Sequence, residues 1–193
     1  MKKICVFLGS NSGARPEYRD AAVDLGQSLA RAGLGLVYGG AKVGLMGTLA
    51  DATLAAGGDV VGIIPRALVE KEVAHSGLSD LRVVTSMHER KSLMAELSDG
   101  FIALPGGMGT LEELFEMMTW AQLGMHRKPC GLLNVAGYYD GLTTFLDHAV
   151  GERFVAQAHR DMLLVAKTAK DLLDRFSTYR APVVEKWIER KET

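Results

Sequence analysis

FIALPGGMGTLEE, at residues 101–113, joins an apolar run to a glycine-rich turn and then to residues typical of a helix. Phe101–Leu104 carries no polar residue, which is typical of a parallel strand that is covered on both faces. The turn contains Pro105 and three glycines, and the residues from Gly109 to Leu123 predict a helix. A strand, a short turn and a helix in this order form the repeating unit of open α/β sheets.

The same order recurs along the whole chain. Further strands are predicted at Lys3–Gly9, Leu34–Tyr38, Asp59–Ile64, Leu81–Thr85, Cys130–Asn134 and Met162–Val165. Further helices are predicted at Pro16–Ala32, Leu45–Ala56, Ser86–Ser98, Tyr138–Val150 and Ala169–Tyr179. We therefore predict an α/β protein with a doubly wound parallel sheet and helices on both faces. No linker, repeat or low-complexity tract divides the chain, so we expect a single domain over residues 1–180 and a charged tail over residues 181–193.

The composition of the 193 residues, with 48% in the set AVILMFWYC and 23% charged, is that of an ordinary globular protein. A formal net charge of −1 argues against a protein that binds nucleic acid through a broad basic surface. No apolar run approaches the roughly 18–20 residues of a membrane span, and the first residues lack the pattern of a signal peptide. We expect a cytoplasmic protein that engages neither membranes nor nucleic acid.

Cys5 and Cys130 are the only cysteines, and both lie in apolar, strand-like runs. We expect them to be buried free thiols. No Cys/His cluster has the spacing of a zinc site, so we expect no metal.

Glycine-rich turns follow three of the predicted strands, at the sheet edge where ligands bind in folds of this kind. They are Gly9–Gly13, Gly39–Gly47 and Pro105–Thr110. Glycines allow backbone N–H groups to approach an anion, and two of these turns lead into helix N-termini, which favour phosphate. Close packing between strands and helices is the alternative explanation. Neither GxxxxGK[ST] nor GxGxxG is present, so ATP hydrolysis and nicotinamide binding both lack their usual residues.

Arg90 is an unusual residue for its position in the helix predicted to begin after Ser86. Ser86 and Glu89 form a capping box at the start of that helix. At 100° per residue, Arg90 falls within an apolar stripe formed by Met87, Met94 and Leu97. A buried arginine near a helix N-terminus is costly unless an anion compensates it. The anion is either a structural carboxylate, or a ligand or catalytic carboxylate; Lys91, at the edge of the stripe, is either solvated or directed toward the same site.

Glu113 is the second candidate. Thr110 and Glu113 have capping-box spacing, which alone could explain the glutamate. Glu113 also borders the apolar stripe of its helix and can face the crevice. A carboxylate just beyond a phosphate-binding turn suits cleavage of a sugar–base bond, because it stabilises positive charge at the anomeric carbon or positions water.

These motifs together resemble the Lonely Guy (LOG) family over nearly the whole chain. The matching stretches are PGGMGTLEE at residues 105–113, MHERK at 87–91, TWAQLG at 119–124, GLLNVAGYY at 131–139 and YGG at 38–40. Leu8 and Asn11 stand where the family commonly has Cys and Ser, which affects only the detail of the first turn.

The resemblance implies a Rossmann-like fold and an enzyme that needs no cofactor. It implies hydrolysis of nucleoside 5'-monophosphates, either cytokinin riboside 5'-monophosphates or AMP, to a free base and ribose 5-phosphate. It assigns Arg90 and Glu113 as the catalytic pair. The substrate-binding positions that it implies are Gly9, Ser10, Gly40, Glu72, Arg90, Lys91, Gly106, Gly107, Met108, Gly109, Thr110, Leu111, Glu112 and Thr119.

Two further expectations accompany the resemblance. Family members usually form homodimers with active sites near the interface, and apolar helix residues supply a surface for this or simply fill the core. They are Met87, Met94, Met117, Met118 and Trp120. A nucleotide carrier or sensor without turnover is the alternative function. The older label of lysine decarboxylase is not favoured, because no lysine here has the context of a Schiff-base residue.

Overall fold

The computed structural model describes residues 1–69 and 74–182, and the structural statements below refer to these residues. They contain seven strands and eight helices. The strands are β1 (Lys3–Phe7), β2 (Gly35–Tyr38), β3 (Val60–Pro65), β4 (Asp80–Val84), β5 (Gly100–Ala103), β6 (Cys130–Leu133) and β7 (Leu163–Ala166). The helices are α1 (Pro16–Arg31), α2 (Gly44–Ala55), α3 (Arg66–Val69), α4 (Met87–Leu97), α5 (Met108–Gln122), α6 (Asp140–Gly151), α7 (Gln157–Arg160) and α8 (Ala169–Thr178).

The strands form one parallel sheet in the order β4-β3-β2-β1-β5-β6-β7. The chain starts at the centre with β1, builds outward to β4, and crosses back to β5 on the other side of β1. The predicted doubly wound sheet is confirmed. A crevice opens in such sheets where the strand order reverses, here between the carboxyl ends of β1 and β5, and ligands bind there.

Helices cover both faces of the sheet, as predicted. Helices α1, α2 and α8 pack on one face through residues such as Leu25, Leu49 and Phe176. Helices α4 and α5 pack on the opposite face, where Met94 and Leu114 are fully enclosed. Successive residues of β1 point alternately into these two cores, so every position of that strand beyond its first is buried. This two-sided burial is why the run is apolar without alternation.

The predicted strands and helices are all present, with bounds that differ by no more than two residues. The sequence did not predict α3, α7 or the 3-10 turn at Val135–Gly137, since segments of three or four residues are too short to show a period. Of the expected tail, residues 183–193 lie outside the described part. No helix within residues 1–69 and 74–182 is long and apolar enough to cross a bilayer.

The burial of the two cysteines generates a prediction. Cys5 and Cys130 are free and buried, and burial raises the pKa of both thiols, that of Cys130 to about 12. Because the thiolate is the reactive form, neither cysteine should react with an aromatic disulfide reagent at pH 8 while the protein is folded. The same protein in denaturant should react at both positions. Rapid labelling of either thiol in the folded protein would contradict this burial.

Candidate functional site

The first and third glycine-rich turns meet at the reversal point of the sheet. The Gly9 N–H donates to the carbonyl of Pro105 at 3.1 Å. A Cβ atom on Gly106 would lie 2.9 Å from the Gly9 nitrogen, so the two backbones touch. A cavity of about 240 Å³ opens beside them, lined in part by Asn11, Gly107 and Tyr138. The predicted convergence of these turns at one sheet edge is thus present.

Helix α5 begins at this crevice with its backbone donors exposed. Its N-cap is Gly107, which makes no side-chain capping bond. The capping-box explanation for Thr110 and Glu113 is therefore wrong, because both residues lie within the helix. A Cβ atom on Gly107 or Gly109 would meet no atom within 4 Å. The first-turn N–H groups and the positive end of the helix dipole are available to an anion.

The glycines of the second turn serve mainly for packing, which was the alternative explanation. Gly40 has φ +77°, and its carbonyl accepts from the His75 N–H at 3.1 Å. Gly44 has φ +56°, and a Cβ atom there would collide with the backbone of Ser10. The second turn therefore allows the start of α2 to pack closely against the first turn. Gly39 is different, because a Cβ atom there would collide with the guanidinium of Arg90.

Arg90 is 7% exposed and is held by backbone carbonyls rather than by a carboxylate. Its Nε donates to Ile63 at 3.1 Å and its Nη2 donates to Gly39 at 3.2 Å, at the carboxyl ends of β3 and β2. Its Nη1 contacts the sulfur of Met87 at 3.8 Å. Both of these acceptors are main-chain carbonyl oxygens at the ends of neighbouring strands.

Lys91 is compensated, in contrast to its neighbour. Its side chain is 9% exposed, and its Nζ lies 2.5 Å from Glu112 and 3.1 Å from Glu116. Burial alone lowers the pKa of Lys91, but the hydrogen bonds and charges of the two glutamates outweigh burial and raise it. Lys91 is thus a protonated link between α4 and α5, and a solvated lysine, one of the two alternatives for this residue, is not what the structure shows.

Glu113 lies half-buried in the second turn of α5. Glu113 and Arg90 both influence the pKa of the Cys5 thiol. Burial raises that pKa, the charge of Glu113 raises it further, and the charge of Arg90 lowers it. Since Cys5 faces the α4–α5 side of the sheet, the carboxylate and the guanidinium act on the same buried region from that side.

The remaining candidates are spread more widely. Met108 is 83% exposed at the start of α5, and Leu111 packs against the core. Thr119 is exposed and donates to the carbonyl of Phe115 at 2.7 Å. It lies about 16 Å along the helix from Met108, at 1.5 Å per residue, so it does not reach the crevice of its own chain. Glu72 lies outside the described residues. In the part of the chain that the structure describes, no group of His, Cys, Asp or Glu side chains could hold a metal ion.

Tyr138 and Tyr139 were not among the site residues predicted from the sequence, and both contact the strand-to-turn segment before α5. The Tyr138 hydroxyl donates to the carbonyl of Gly106 at 2.5 Å, and the Tyr139 hydroxyl donates to that of Leu104 at 2.5 Å. Both tyrosines follow β6, which pairs with β5. In the sequence, the one indication of a role for them is that two tyrosines directly follow a predicted strand. Their hydrogen-bond acceptors could not be predicted, because the sequence does not show that β6 lies beside β5.

Solved structures share this fold at low sequence identity. The molybdenum cofactor binding protein of Rippkaea orientalis has a TM-score of 0.69 and 22% identity, and the match covers 92% of this chain and 97% of that chain. The molybdenum cofactor carrier protein of Chlamydomonas reinhardtii has a TM-score of 0.67 and 20% identity, with coverage of 90% and 98%. Identities this low relate the folds alone.

Sequence relatives are much closer. The profile of the family described as "Possible lysine decarboxylase" matches residues 46–176. Cytokinin riboside 5'-monophosphate phosphoribohydrolase LOG5 of Arabidopsis thaliana is 52% identical over 93% of this chain and 78% of its own length. LOG3 of the same plant is 50% identical over 96% of this chain and 86% of its own length. The chain therefore belongs to the Lonely Guy family, to which these plant phosphoribohydrolases also belong.

Proposed function

We propose that this protein hydrolyses the N-glycosidic bond of adenine-type nucleoside 5'-monophosphates, releasing a free base and ribose 5-phosphate. Its substrates are cytokinin riboside 5'-monophosphates, which the names of its relatives specify, and AMP. The observation that carries the proposal is the buried Arg90, whose guanidinium donates to carbonyls at the carboxyl ends of β2 and β3. Its helix, α4, packs on the same face of the sheet as α5, the helix that carries Glu113.

The phosphate of the substrate would bind at the N-terminus of α5. The open positions of Gly107 and Gly109 leave the first-turn N–H groups accessible, and the helix dipole adds attraction for a dianion. The phosphate does not react, so binding energy gained there can position the ribose for the chemical step.

Glu113 would act at the anomeric carbon. Departure of the base leaves positive charge on the ribose, which a carboxylate stabilises while it orients the attacking water. Arg90 would hold the charged groups of the site in place, and its desolvated charge would act more strongly than an exposed one.

Two other functions are less well supported. A lysine decarboxylase needs an unprotonated lysine as nucleophile, whereas the glutamates beside Lys91 raise its pKa and keep it an ammonium ion. A nucleotide carrier would need the same anion site without turnover. The likeness to molybdenum cofactor carriers extends to the fold alone.

We also propose that the protein forms homodimers and acts in the cytoplasm. Met94 and Met117 fill the core, but Met87, Leu123 and Met125 are between 43% and 65% exposed around α4 and α5. Thr119 would reach a substrate only across a subunit interface. These features support a homodimer, and the two free buried thiols support a reducing compartment, the cytoplasm.

Phosphate recognition provides the first test of the enzyme. The protein should release adenine and ribose 5-phosphate from AMP. It should cleave adenosine with a kcat/KM at least ~10³-fold lower, because adenosine has no phosphate to bind at the N-terminus of α5. Gly107→Val should fold normally and bind AMP poorly, since its side chain would enter the space beside the α5 N-terminus. Binding of AMP without release of adenine would favour a nucleotide carrier. Cleavage of AMP and adenosine with equal kcat/KM would contradict the proposed phosphate site.

Glu113→Gln tests the catalytic carboxylate. The change preserves size and removes charge, so kcat should fall at least ~10²-fold while thermal stability changes little. Glu96→Gln, which removes an exposed carboxylate from α4, is the matched control and should keep normal kcat. Near-normal turnover by Glu113→Gln would exclude the assigned role.

The assembly is tested by light scattering. At micromolar concentration the purified protein should have about twice the mass of one chain, because exposed apolar side chains around α4 and α5 favour association. A monomeric mass under those conditions would contradict the homodimer.

A further inference from the structure

Tyr138 contacts the turn before α5 at the peptide bond between Gly106 and Gly107, and this contact affects the direction of the Gly107 N–H. Its ring lines the crevice and is 44% exposed, and its hydroxyl donates to the carbonyl of Gly106 at 2.5 Å. Gly106 and Gly107 are joined by a trans peptide bond, since the described residues contain no cis peptide. In a trans peptide the carbonyl and the following N–H point in opposite directions. The hydrogen bond to Tyr138 therefore directs the Gly107 N–H away from the tyrosine.

Packing restrains this peptide on its Gly106 side, where a Cβ atom would collide with Thr110 and with the Gly9 backbone, but not on its Gly107 side. The peptide joins two glycines, whose backbones rotate with less hindrance than those of any other residue. A Cβ atom on Gly107 would touch nothing, so no neighbouring group restricts that side of the peptide. Gly107 is also the N-cap of α5 and makes no side-chain capping bond. The Tyr138 hydroxyl adds a hydrogen bond from outside the turn that fixes the direction of this peptide.

Tyr138 is itself held firmly. It follows Ala136 and Gly137, which both have positive φ values, 50° and 74°. An alanine rarely adopts this left-handed conformation, and such strain is concentrated at functional sites. The Arg15 guanidinium donates to the carbonyl of Ala136 at 3.4 Å, and the Tyr138 ring packs edge-to-face against Tyr18 at 5.7 Å between centroids. The turn thereby presents the hydroxyl in one place.

Tyr139 makes a similar bond with a different consequence. Its hydroxyl donates to the carbonyl of Leu104 at 2.5 Å. The next residue, Pro105, has no N–H, so fixing this peptide orients no donor. Tyr139 is also fully buried, so its hydroxyl contributes to the stability of the core. The two neighbouring tyrosines thus form a natural pair of probe and control.

We propose that Tyr138 is a positioning residue that orients the Gly106–Gly107 peptide so that the Gly107 N–H donates to the substrate phosphate. The proposal rests on the phosphate site of the proposed function. It assigns Tyr138 no contact with the reacting atoms. Its effect should therefore appear in the binding of phosphate-bearing ligands and not in the chemical step.

Tyr138→Phe removes only the hydroxyl. It should raise the KM for AMP about 10-fold and leave kcat within about threefold, because one hydrogen bond to a charged group is lost from ground state and transition state alike. The kcat/KM for adenosine should be unchanged, so the preference for AMP should fall about 10-fold. Tyr139→Phe should lower the melting temperature and keep the wild-type preference.

Inorganic phosphate serves as a probe that needs no turnover. Calorimetry should show binding weakened about 10-fold in Tyr138→Phe and unchanged in Tyr139→Phe. If phosphate affinity and the preference for AMP both stay at wild-type values in Tyr138→Phe, or if AMP and adenosine lose kcat/KM equally, the proposal is wrong. If wild type binds phosphate but releases no base, the proposed hydrolysis fails, and the phosphate affinities of the two variants still decide the role of Tyr138.

Discussion

The pairing of β1 with β5 is the contact on which the site depends. Ile4–Phe7 run parallel to Gly100–Ala103, residues almost a hundred positions away along the chain. This pairing brings the turn after β1 against the turn after β5, so that the Gly9 N–H reaches Pro105. It also points the N-terminus of α5 into the crevice. Without the pairing of β1 with β5, the two glycine turns would not line one cavity, and the backbone N–H groups of α5 would face open solvent.

Two neighbouring buried cations, Lys91 and Arg90, have different kinds of hydrogen-bond acceptor. Lys91 is buried with two glutamates, so its charge is compensated within the protein. Arg90, the preceding residue, is as deeply buried and has carbonyl oxygens as its hydrogen-bond acceptors. Carbonyl dipoles offset part of the desolvation of a cation but do not neutralise it. The two acceptors of Arg90 are thus dipoles, whereas those of Lys91 are charges.

Sequence patterns predicted interactions between residues close together in the chain correctly. Ser86 caps α4 as predicted, accepting from the Glu89 N–H at 3.1 Å, although the Glu89 carboxylate reaches back to Thr85 rather than to Ser86. The apolar stripe of α4 was less reliable. Met87 belongs to that stripe but is 43% exposed, because it lies in the first turn of the helix, at the carboxyl edge of the sheet. Periodicity indicates which way a side chain points and not whether anything covers it.

The parallel α/β class, the strands buried on both faces and the glycine turns could be predicted from the sequence, because they depend on contacts between residues near in sequence or on burial alone. It also singled out Arg90, since a cation in an apolar stripe conflicts with its surroundings. The tertiary structure was needed to show that Lys91 pairs with two glutamates of α5, that Arg90 donates to carbonyls at the strand ends, that Gly107 is the N-cap of α5, and that Tyr138 reaches Gly106. The partners in these contacts come from different strands and helices, and the order of the strands that brings them together is a property of the whole sheet.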